Sequence, residues 1–228
     1  EKYSPLNDTW SAVAPLPQAC AFHATVAIGS DMYVLGELQG TFKFDSTQGT
    51  WGEIAAMPEL STNVAACVVG RVIYVFGGRT QGSNHASVYK HDTVTNEWST
   101  LAPMPQPCFC NCVNVPDGLI YVVGAGDNGC GVLRFEPVTG VWSTLAPTLT
   151  DRMACASFVI GGYLHAAGGT GMAPSVERYD VATDTWIAVA DMLEERFGFC
   201  AVTIERTGPG EEQDLFDSLI AKASRRNQ

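Results

Sequence analysis

Two arginines at matching positions are the strongest candidates for chemistry in this sequence. Arg152 and Arg196 each follow a tryptophan by ten residues. The guanidinium group offers a planar fork of N–H donors, which fits a carboxylate or a backbone carbonyl. A local salt bridge is the alternative, because Asp151 and Glu195 are the adjacent residues. We predict that both arginines bind a polar group of a protein or peptide partner.

Four other polar residues extend this candidate binding set. Ser61 and Asn63 occupy the corresponding stretch of chain after another tryptophan, where they can add hydrogen bonds. Arg79 and Asn84 lie in the longest predicted loop, and loops on a rigid scaffold often carry recognition. The alternative for this second pair is a solvated loop tip.

The cysteine and histidine spacings do not indicate a metal site. Cys108, Cys110 and Cys112 alternate along the chain, whereas structural zinc sites usually use a turn-spaced pair. We interpret these three as packing residues, with redox sensing and metal binding as weaker alternatives. The four histidines show no metal-ligand spacing, and no P-loop, G-x-S-x-G or H-E-x-x-H motif is present. We therefore predict no metal, no cofactor and no catalytic residue.

These candidates are positioned by a repeat that every tryptophan of the chain marks. The tryptophans recur at intervals of 41 to 47 residues: Trp10, Trp51, Trp98, Trp142 and Trp186. A ring-bearing residue stands seven positions before each of them: Tyr3, Phe44, His91, Phe135 and Tyr179. We interpret His91 as a substitute for an aromatic residue. A fixed phase of this kind indicates a repeat architecture, in which each unit buries its faces against its neighbours.

Each repeat reads as four short strands. In the unit that ends at Trp186, MACASFVIGG is followed by YLHAAGG, then by VERYD and WIAVA. Alternation of apolar and polar residues is typical of half-buried strands. Four strands in a unit of this length predict a propeller blade, with tryptophan filling the seam between blades. Antiparallel order brings the loop between strands two and three to the same end as the link to the next blade. The candidate residues should therefore line one mouth of the central channel.

The motifs IYVFGG, VERYD, TDTW and LAPMP resemble the kelch repeat. The longer phrases VERYDVATDTW and NEWSTLAPMP resemble the kelch domains of BTB-kelch proteins in particular. The resemblance covers about residues 1–204 and implies an all-β propeller of four-stranded antiparallel blades. The double glycine of the repeat is intact at Gly77–Gly78 and Gly168–Gly169 and is lost in the other two units.

The predicted domain boundaries follow from the phase of the repeat. Four full repeats cover about 16–51, 57–98, 104–142 and 148–186. Residues 1–15 and 192–204 share a split fifth blade, which has no evident second strand. Because BTB-kelch propellers most often have six blades, a truncated or variant chain is slightly favoured over a ring of five. Residues 205–228 are predicted to be a linker and C-terminal tail, with a short helix as an alternative.

Composition restricts the partners and the compartment. The net charge is −11, and an acidic chain lacks the basic field that favours nucleic acids and acidic membrane surfaces. No apolar run is long enough to cross a bilayer. The eight cysteines do not recur at fixed repeat positions, so we interpret them as reduced core residues. Reduced thiols favour an intracellular, cytoplasmic location.

The resemblance implies a binding module that is not an enzyme. BTB-kelch proteins bring substrates to a cullin-3 RING ubiquitin ligase, so this chain would be the substrate-recognition domain. The BTB and BACK segments that such proteins use to bind cullin-3 are absent from the sequence. An actin-binding or other cytoskeletal scaffold is the first alternative. A propeller enzyme of the galactose-oxidase type is a weaker one, because its copper site needs clustered tyrosine, histidine and cysteine ligands.

Overall fold

The structure, a computed structural model, describes residues 1–4, 6–36, 40–114, 117–125, 131–170, 174–201 and 203. For 108–114 the description is of the backbone. The predicted tail at 205–228 and the side chains of Cys108, Cys110 and Cys112 lie outside the described residues, so the predictions for them stay predictions.

Twenty β-strands make up the regular structure of these residues, none of which is helical. An N-terminal hairpin contains β1 (Lys2–Ser4) and β2 (Thr9–Ser11). Blade 1 contains β3 (Ala24–Ile28), β4 (Asp31–Leu35), β5 (Thr41–Asp45) and β6 (Thr50–Ile54). Blade 2 contains β7 (Ala65–Val69), β8 (Val72–Phe76), the short hairpin β9 (Arg79–Thr80) and β10 (Ser83–Asn84), then β11 (Val88–Asp92) and β12 (Glu97–Thr100).

The second half of the chain repeats the pattern. Blade 3 contains β13 (Cys108–Asn114), β14 (Ile120–Ala125), β15 (Gly131–Glu136) and β16 (Val141–Leu145). Blade 4 contains β17 (Ala156–Ile160), β18 (Tyr163–Ala167), β19 (Val176–Asp180) and β20 (Thr185–Ala188). Each blade is a four-stranded antiparallel sheet with its strands in chain order. The all-β architecture of four-stranded blades is confirmed.

The turn before each tryptophan strand uses a left-handed backbone. The residue two positions before each tryptophan has a positive φ: Asp8, Gly49, Asn96, Gly140 and Asp184. Glycine, asparagine and aspartate are the residues that adopt this conformation at least cost. At the start of the turn, the carboxylate of Asp45 accepts the amide of Thr47 at 2.8 Å, and Asp92 accepts that of Val94 at 2.8 Å. These local bonds reverse the chain so that the third and fourth strands pair.

Register then places each tryptophan directly opposite the ring seven residues earlier. Tyr3 pairs with Trp10, and Tyr179 pairs with Trp186. The ring centroids are 5.2 Å apart in both pairs. The His91 ring lies 4.9 Å from that of Trp98, so the histidine occupies the aromatic position as predicted.

A hydrogen bond from each of the last four indoles crosses to the preceding repeat. The acceptor is the backbone carbonyl four residues after the previous tryptophan: Ala14 for Trp51 at 3.0 Å, Ala55 for Trp98 at 2.8 Å, Ala102 for Trp142 at 3.4 Å and Ala146 for Trp186 at 3.0 Å. The core lies in the same seams, because buried residues of neighbouring blades form common clusters. Tryptophan therefore fills the seams between blades and also fixes their spacing.

Hydrogen bonds join the segments at both ends of the array to the blades next to them. The hairpin β1–β2 precedes blade 1, and its linker residue Ala14 accepts the indole N–H of Trp51. After blade 4, the amide of Gly198 donates to the carbonyl of Ala154 at 3.0 Å, as Asn63 donates to Phe22 at 2.8 Å between earlier repeats. The described residues thus contain four complete blades, with the hairpin before them and a segment without strands after them. That these two portions share a fifth blade stays a prediction. No helix in this part of the chain is long and apolar enough to cross a membrane.

Candidate binding site at the channel mouth

One end of the propeller gathers the candidate residues, and we call it the channel mouth. It consists of the β9–β10 hairpin and the linkers between blades at 12–23, 55–64, 101–107, 146–155 and 189–199. The two kinds of loop touch, as predicted, because Thr62 of a linker and Arg79 of the hairpin form a β-bridge. The amide of Arg79 donates to the carbonyl of Thr62 at 2.8 Å, and the reverse bond is 3.0 Å.

The β9–β10 hairpin is exposed and anchored at its base. Arg79 and Asn84 pair across it, and both are exposed. Thr80 donates to the carbonyl of Leu60 at 3.0 Å and lies 3.1 Å from the hydroxyl of Ser61. Gly78 permits this close approach, because a Cβ there would lie 2.8 Å from the Val64 side chain and 2.9 Å from that of Ser61, at a φ of +106°. The structure therefore holds Arg79 and Asn84 together on a rigid, accessible ribbon.

Ser61 and Asn63 serve the linker itself. The Ser61 side chain is buried and directed to Thr80. Asn63 has a left-handed φ of 55°. Its repeat equivalents, Phe22 and Ala154, both have a φ of 54°. The backbone amide of Asn63 donates to the carbonyl of Phe22 in the preceding repeat. The role that the structure shows for this position is therefore one of the backbone and not of the side chain. Partner binding by either side chain stays a prediction, and the burial of Ser61 weighs against it.

Arg152 has a structural place inside blade 4. The side chain is fully buried. Its Nη2 lies 2.7 Å from the Glu177 carboxylate, and Nε donates to the same oxygen at 3.2 Å. Nη1 donates to the carbonyls of Gly168 at 2.8 Å and Ser175 at 3.1 Å, and Nη2 donates to the Ser175 hydroxyl at 2.9 Å. The ion-pair partner of Arg152 is therefore Glu177 and not the expected Asp151. Because the guanidinium is enclosed by these contacts, we do not include Arg152 among the residues proposed to bind a partner.

Arg196 has the same repeat position and a different setting. Its side chain is 10% exposed, and Nη2 lies 3.6 Å from the carboxylate of Glu194, which is itself mostly exposed. Among the described residues, Nε of Arg196 has no hydrogen-bond partner although it is buried. The expected neighbour Glu195 is replaced by Glu194. Arg196 therefore retains donor capacity that Arg152 has used.

Apolar and acidic residues also line the channel mouth, and the sequence patterns did not predict them. Large apolar side chains of the linkers are exposed: Phe22, Leu60, Leu149 and Phe197. The Glu59 carboxylate accepts a hydrogen bond from the Tyr89 hydroxyl at 2.8 Å. The pKa of Tyr89 is raised mainly by burial and, to a smaller extent, by this hydrogen bond. All four lie in linkers that follow a tryptophan strand but at different repeat positions, so the phase of the repeat does not identify them.

Four cysteines with described side chains are reduced. They are Cys20, Cys67, Cys155 and Cys200. Burial raises the pKa of Cys155 to about 12, so its thiol is protonated and unreactive at neutral pH. Cys20 lies 3.4 Å from Nδ1 of His23 in a linker, and burial raises its pKa as well. Among the described residues, no three histidine, cysteine or acidic side chains converge as metal ligands would.

Comparisons with known proteins agree with this architecture. Residues 61–105 match the family model of the Kelch motif. The chain is 44% identical over 130 residues to human Kelch-like protein 35, and 29% identical over 134 residues to the mouse protein of that name. Each alignment covers 56% of this chain and 22% of the relative, so the chain matches about a fifth of the relatives' length. The solved structure of YjhT superposes with a TM-score of 0.69 at 18% identity, covering 80% of this chain and 69% of YjhT.

The fold and the repeats define the class of the protein, a repeat β-propeller. More narrowly, the Kelch motif match over residues 61–105 and the two Kelch-like relatives support a repeat of the kelch type, and the YjhT structure supports the propeller fold.

Proposed function

We propose that this propeller is a protein-interaction module that recognises substrates for a cullin-3 RING ubiquitin ligase. The likeness to two Kelch-like proteins supports the interaction module, and the resemblance of the repeats to BTB-kelch proteins supports the ligase role. The propeller itself catalyses nothing. Cullin-3 is reached through other segments of the adaptor, and the module works in the cytoplasm, which its free thiols support.

The exposed ribbon beside the linkers is the observation that carries this proposal. Arg79 and Asn84 offer a guanidinium fork and an amide on a hairpin fixed to the scaffold. Exposed Leu60 stands at the base of this hairpin, and its carbonyl holds Thr80. Polar anchors next to exposed apolar side chains suit an extended or turned polypeptide. The net charge of −11 supports a protein ligand over nucleic acid or an acidic membrane.

Quantitative affinity capture from cytosol with matched variants tests the proposal. The double variant Arg79→Ala/Asn84→Ala should lose at least about tenfold in recovery of the captured partners, since it removes a charge-assisted donor set. Arg71→Ala is the control, because Arg71 is also exposed but lies in the β7–β8 turn at the opposite end. Captured partners should then be ubiquitinated in a cullin-3-dependent manner in cells that express the complete adaptor.

Two outcomes contradict the proposal. If the double variant retains every partner while Arg71→Ala loses them, binding uses the other end of the propeller. If filamentous actin co-sediments with the chain and competes with the captured partners, the cytoskeletal alternative replaces the ligase role.

A further inference from the structure

Two linkers of the channel mouth flank blade 4 and present both apolar and acidic side chains to solvent. The linker before the blade exposes Leu149, at 58%, and Asp151. The linker after the blade exposes Leu193 and Phe197, at 93% and 63%. We define the blade-4 patch as the exposed apolar and acidic residues of both linkers: Leu149, Asp151, Asp191, Leu193, Glu194, Glu195 and Phe197.

Backbone contacts join the two linkers into one surface. The amide of Gly198 in the second linker donates to the carbonyl of Ala154 in the first at 3.0 Å. Gly169 of blade 4 lies between the linkers, because its amide donates to the carbonyl of Arg196 at 3.0 Å. A Cβ on this glycine would lie 2.9 Å from the carbonyl oxygen of Met153. The relative position of the two linkers is therefore fixed by close backbone packing.

The buried carboxylate of Glu177 holds the chain around Leu149. It accepts the Leu149 amide at 2.8 Å and the Thr150 hydroxyl at 3.0 Å, and its ion-pair partner is Arg152. A buried ion pair adds little net stability, because desolvation of the two charges offsets their attraction. This pair instead keeps an exposed leucine in one backbone conformation. Such preorganisation lowers the entropy cost of binding a partner.

The charge of the blade-4 patch is negative. Its four carboxylates are exposed, whereas the linkers at 12–23 and 101–107 contain no Asp, Glu, Lys or Arg. One further cation lies beside the patch, because Nη2 of Arg196 is 3.6 Å from the Glu194 carboxylate. The Arg196 side chain is nine-tenths buried, and its Nε has no partner among the described residues. The patch thus combines an excess of negative charge with an unused donor.

We propose that the blade-4 patch docks a segment of a protein partner in which apolar side chains are interspersed with lysine or arginine. The exposed leucines and Phe197 bury the partner's apolar side chains, which supplies affinity. The four carboxylates pair with its basic side chains, which supplies selectivity and speeds association. The assignment rests on the proposed function in that a protein partner comes to the channel mouth, and it adds the chemistry of that partner.

Three labelled peptides of equal length test the proposal on the full chain. The probe, KLRFKLR, carries both features, KSRSKSR keeps only the charge, and ELEFELE keeps only the apolar residues. Fluorescence anisotropy should show that the probe binds at least about tenfold tighter than either control peptide, and that its affinity falls as salt is raised. In NMR spectra, the probe should shift the amide signals of 148–151 and 191–197 most strongly.

An apolar variant of the protein locates the probe. Leu149→Ser should weaken the probe at least about tenfold, because it removes a preorganised apolar contact. Leu60→Ser is the matched control, since Leu60 is an exposed leucine of another linker at the same mouth. It should leave the affinity unchanged, and equal losses in the two variants overturn the proposal.

A charge variant separates the patch from the general acidity of the chain. Glu194→Gln/Glu195→Gln should weaken the probe and reduce the salt dependence of its binding. Glu53→Gln/Glu97→Gln makes the same change of net charge at exposed positions on fourth strands, and it should leave both unchanged. If the second pair has the same effect, the probe reads only net charge and the proposal is overturned.

Other occupants of the patch give distinct results. If replacement of Lys222, Arg225 and Arg226 by alanine shifts the amide signals of 148–151 without any peptide, the C-terminal tail is the occupant. If those signals change with protein concentration alone, a second copy is the occupant. Either result overturns the proposal, as does equal binding of the three peptides.

Failure of this proposal is distinguishable from failure of the proposed function. Arg79→Ala/Asn84→Ala should bind the probe as the unaltered chain does. If this variant loses the partners captured from cytosol and the probe does not bind the unaltered chain, the proposed function stands and the blade-4 patch is overturned. If the probe binds and no captured partner depends on Arg79 and Asn84, the reverse holds.

Discussion

Blade 4 and the N-terminal hairpin build the same small unit in two different surroundings. The Tyr179 hydroxyl donates to Asp184 at 2.6 Å, and the Tyr3 hydroxyl donates to Asp8 at 2.6 Å. The tyrosine and tryptophan rings meet at 44° in blade 4 and at 42° in the hairpin. The two aspartates have φ values of 51° and 50°. Two strands and their turn therefore contain the information for this unit.

Burial of the unit comes from its neighbours. Trp186 is 5% exposed because blade 3 covers it, through Tyr121 and Val123 among others. Trp10 is 57% exposed. Arg152 and Arg196 differ in a similar way, since the first is enclosed by blade 4 and the second lies after it, beside the mostly exposed Glu194. In this protein the hairpin determines geometry, and the adjoining sheets determine stability.

The largest expected effect distinguishes the two arginines. Arg152→Ala leaves the buried Glu177 carboxylate without its cation, which should lower the free energy of unfolding by about 3–5 kcal/mol. Arg196→Ala should lower it by about 1 kcal/mol or less, because the Glu194 carboxylate that Arg196 approaches at 3.6 Å is mostly exposed and stays hydrated when the arginine is removed. Urea unfolding followed by circular dichroism measures both. A double variant, Arg152→Met/Glu177→Leu, should be more stable than Arg152→Ala, and equal losses at Arg152 and Arg196 would break the comparison.

The tryptophans should show the same contrast at a smaller scale. Trp186→Phe removes the donor to Ala146 and leaves a buried gap, for an expected loss of about 2–3 kcal/mol. Trp10→Phe should cost less than about 1 kcal/mol, because the ring is already in water. Thermal unfolding of the two variants side by side is the measurement. If Trp10→Phe were as costly, the hairpin would already be packed against another sheet in solution.

The pH dependence of stability tests the aromatic position of the repeat in blade 2. There His91 stands at the position that Tyr179 occupies in blade 4. Burial lowers the pKa of His91 from 6.5, against a smaller opposing effect of the bond to Asn96. The unfolded chain then binds a proton more readily, so stability is complete above pH 6.5 and falls as the pH drops toward the folded-state pKa. One such group gives a slope of at most about 1.4 kcal/mol per pH unit.

His91→Phe should reduce this slope between pH 7 and 5, as measured by unfolding at a series of pH values. His165 will leave a residual slope, because burial lowers its pKa too. His165→Phe is therefore the matched control, and a slope that His165→Phe removes and His91→Phe leaves intact would contradict the prediction.

Much of the fold was predictable because the repeat is marked by residues with a physical task. Tryptophan at a constant phase predicted the blades, and the Gly, Asn and Asp two positions earlier could have predicted the left-handed turns. The left-handed φ of Phe22 and Ala154 was not predictable from residue type, since neither residue favours it. Packing between blades imposes it.

The candidate site was harder to predict than the fold. The sequence placed Arg79 and Asn84 correctly on an accessible loop. It did not identify the partner of Arg152, because Glu177 lies 25 residues away and only the pairing of whole strands brings it close. A polar residue at a repeat position can serve the scaffold or a ligand, and sequence alone does not separate the two.

Every indole that bonds across a seam reaches toward the amino-terminal neighbour. The assembly therefore has a direction along the chain. As the polypeptide leaves the ribosome, each new repeat finds its docking surface already synthesised, so the sheets can add one at a time in the order of translation.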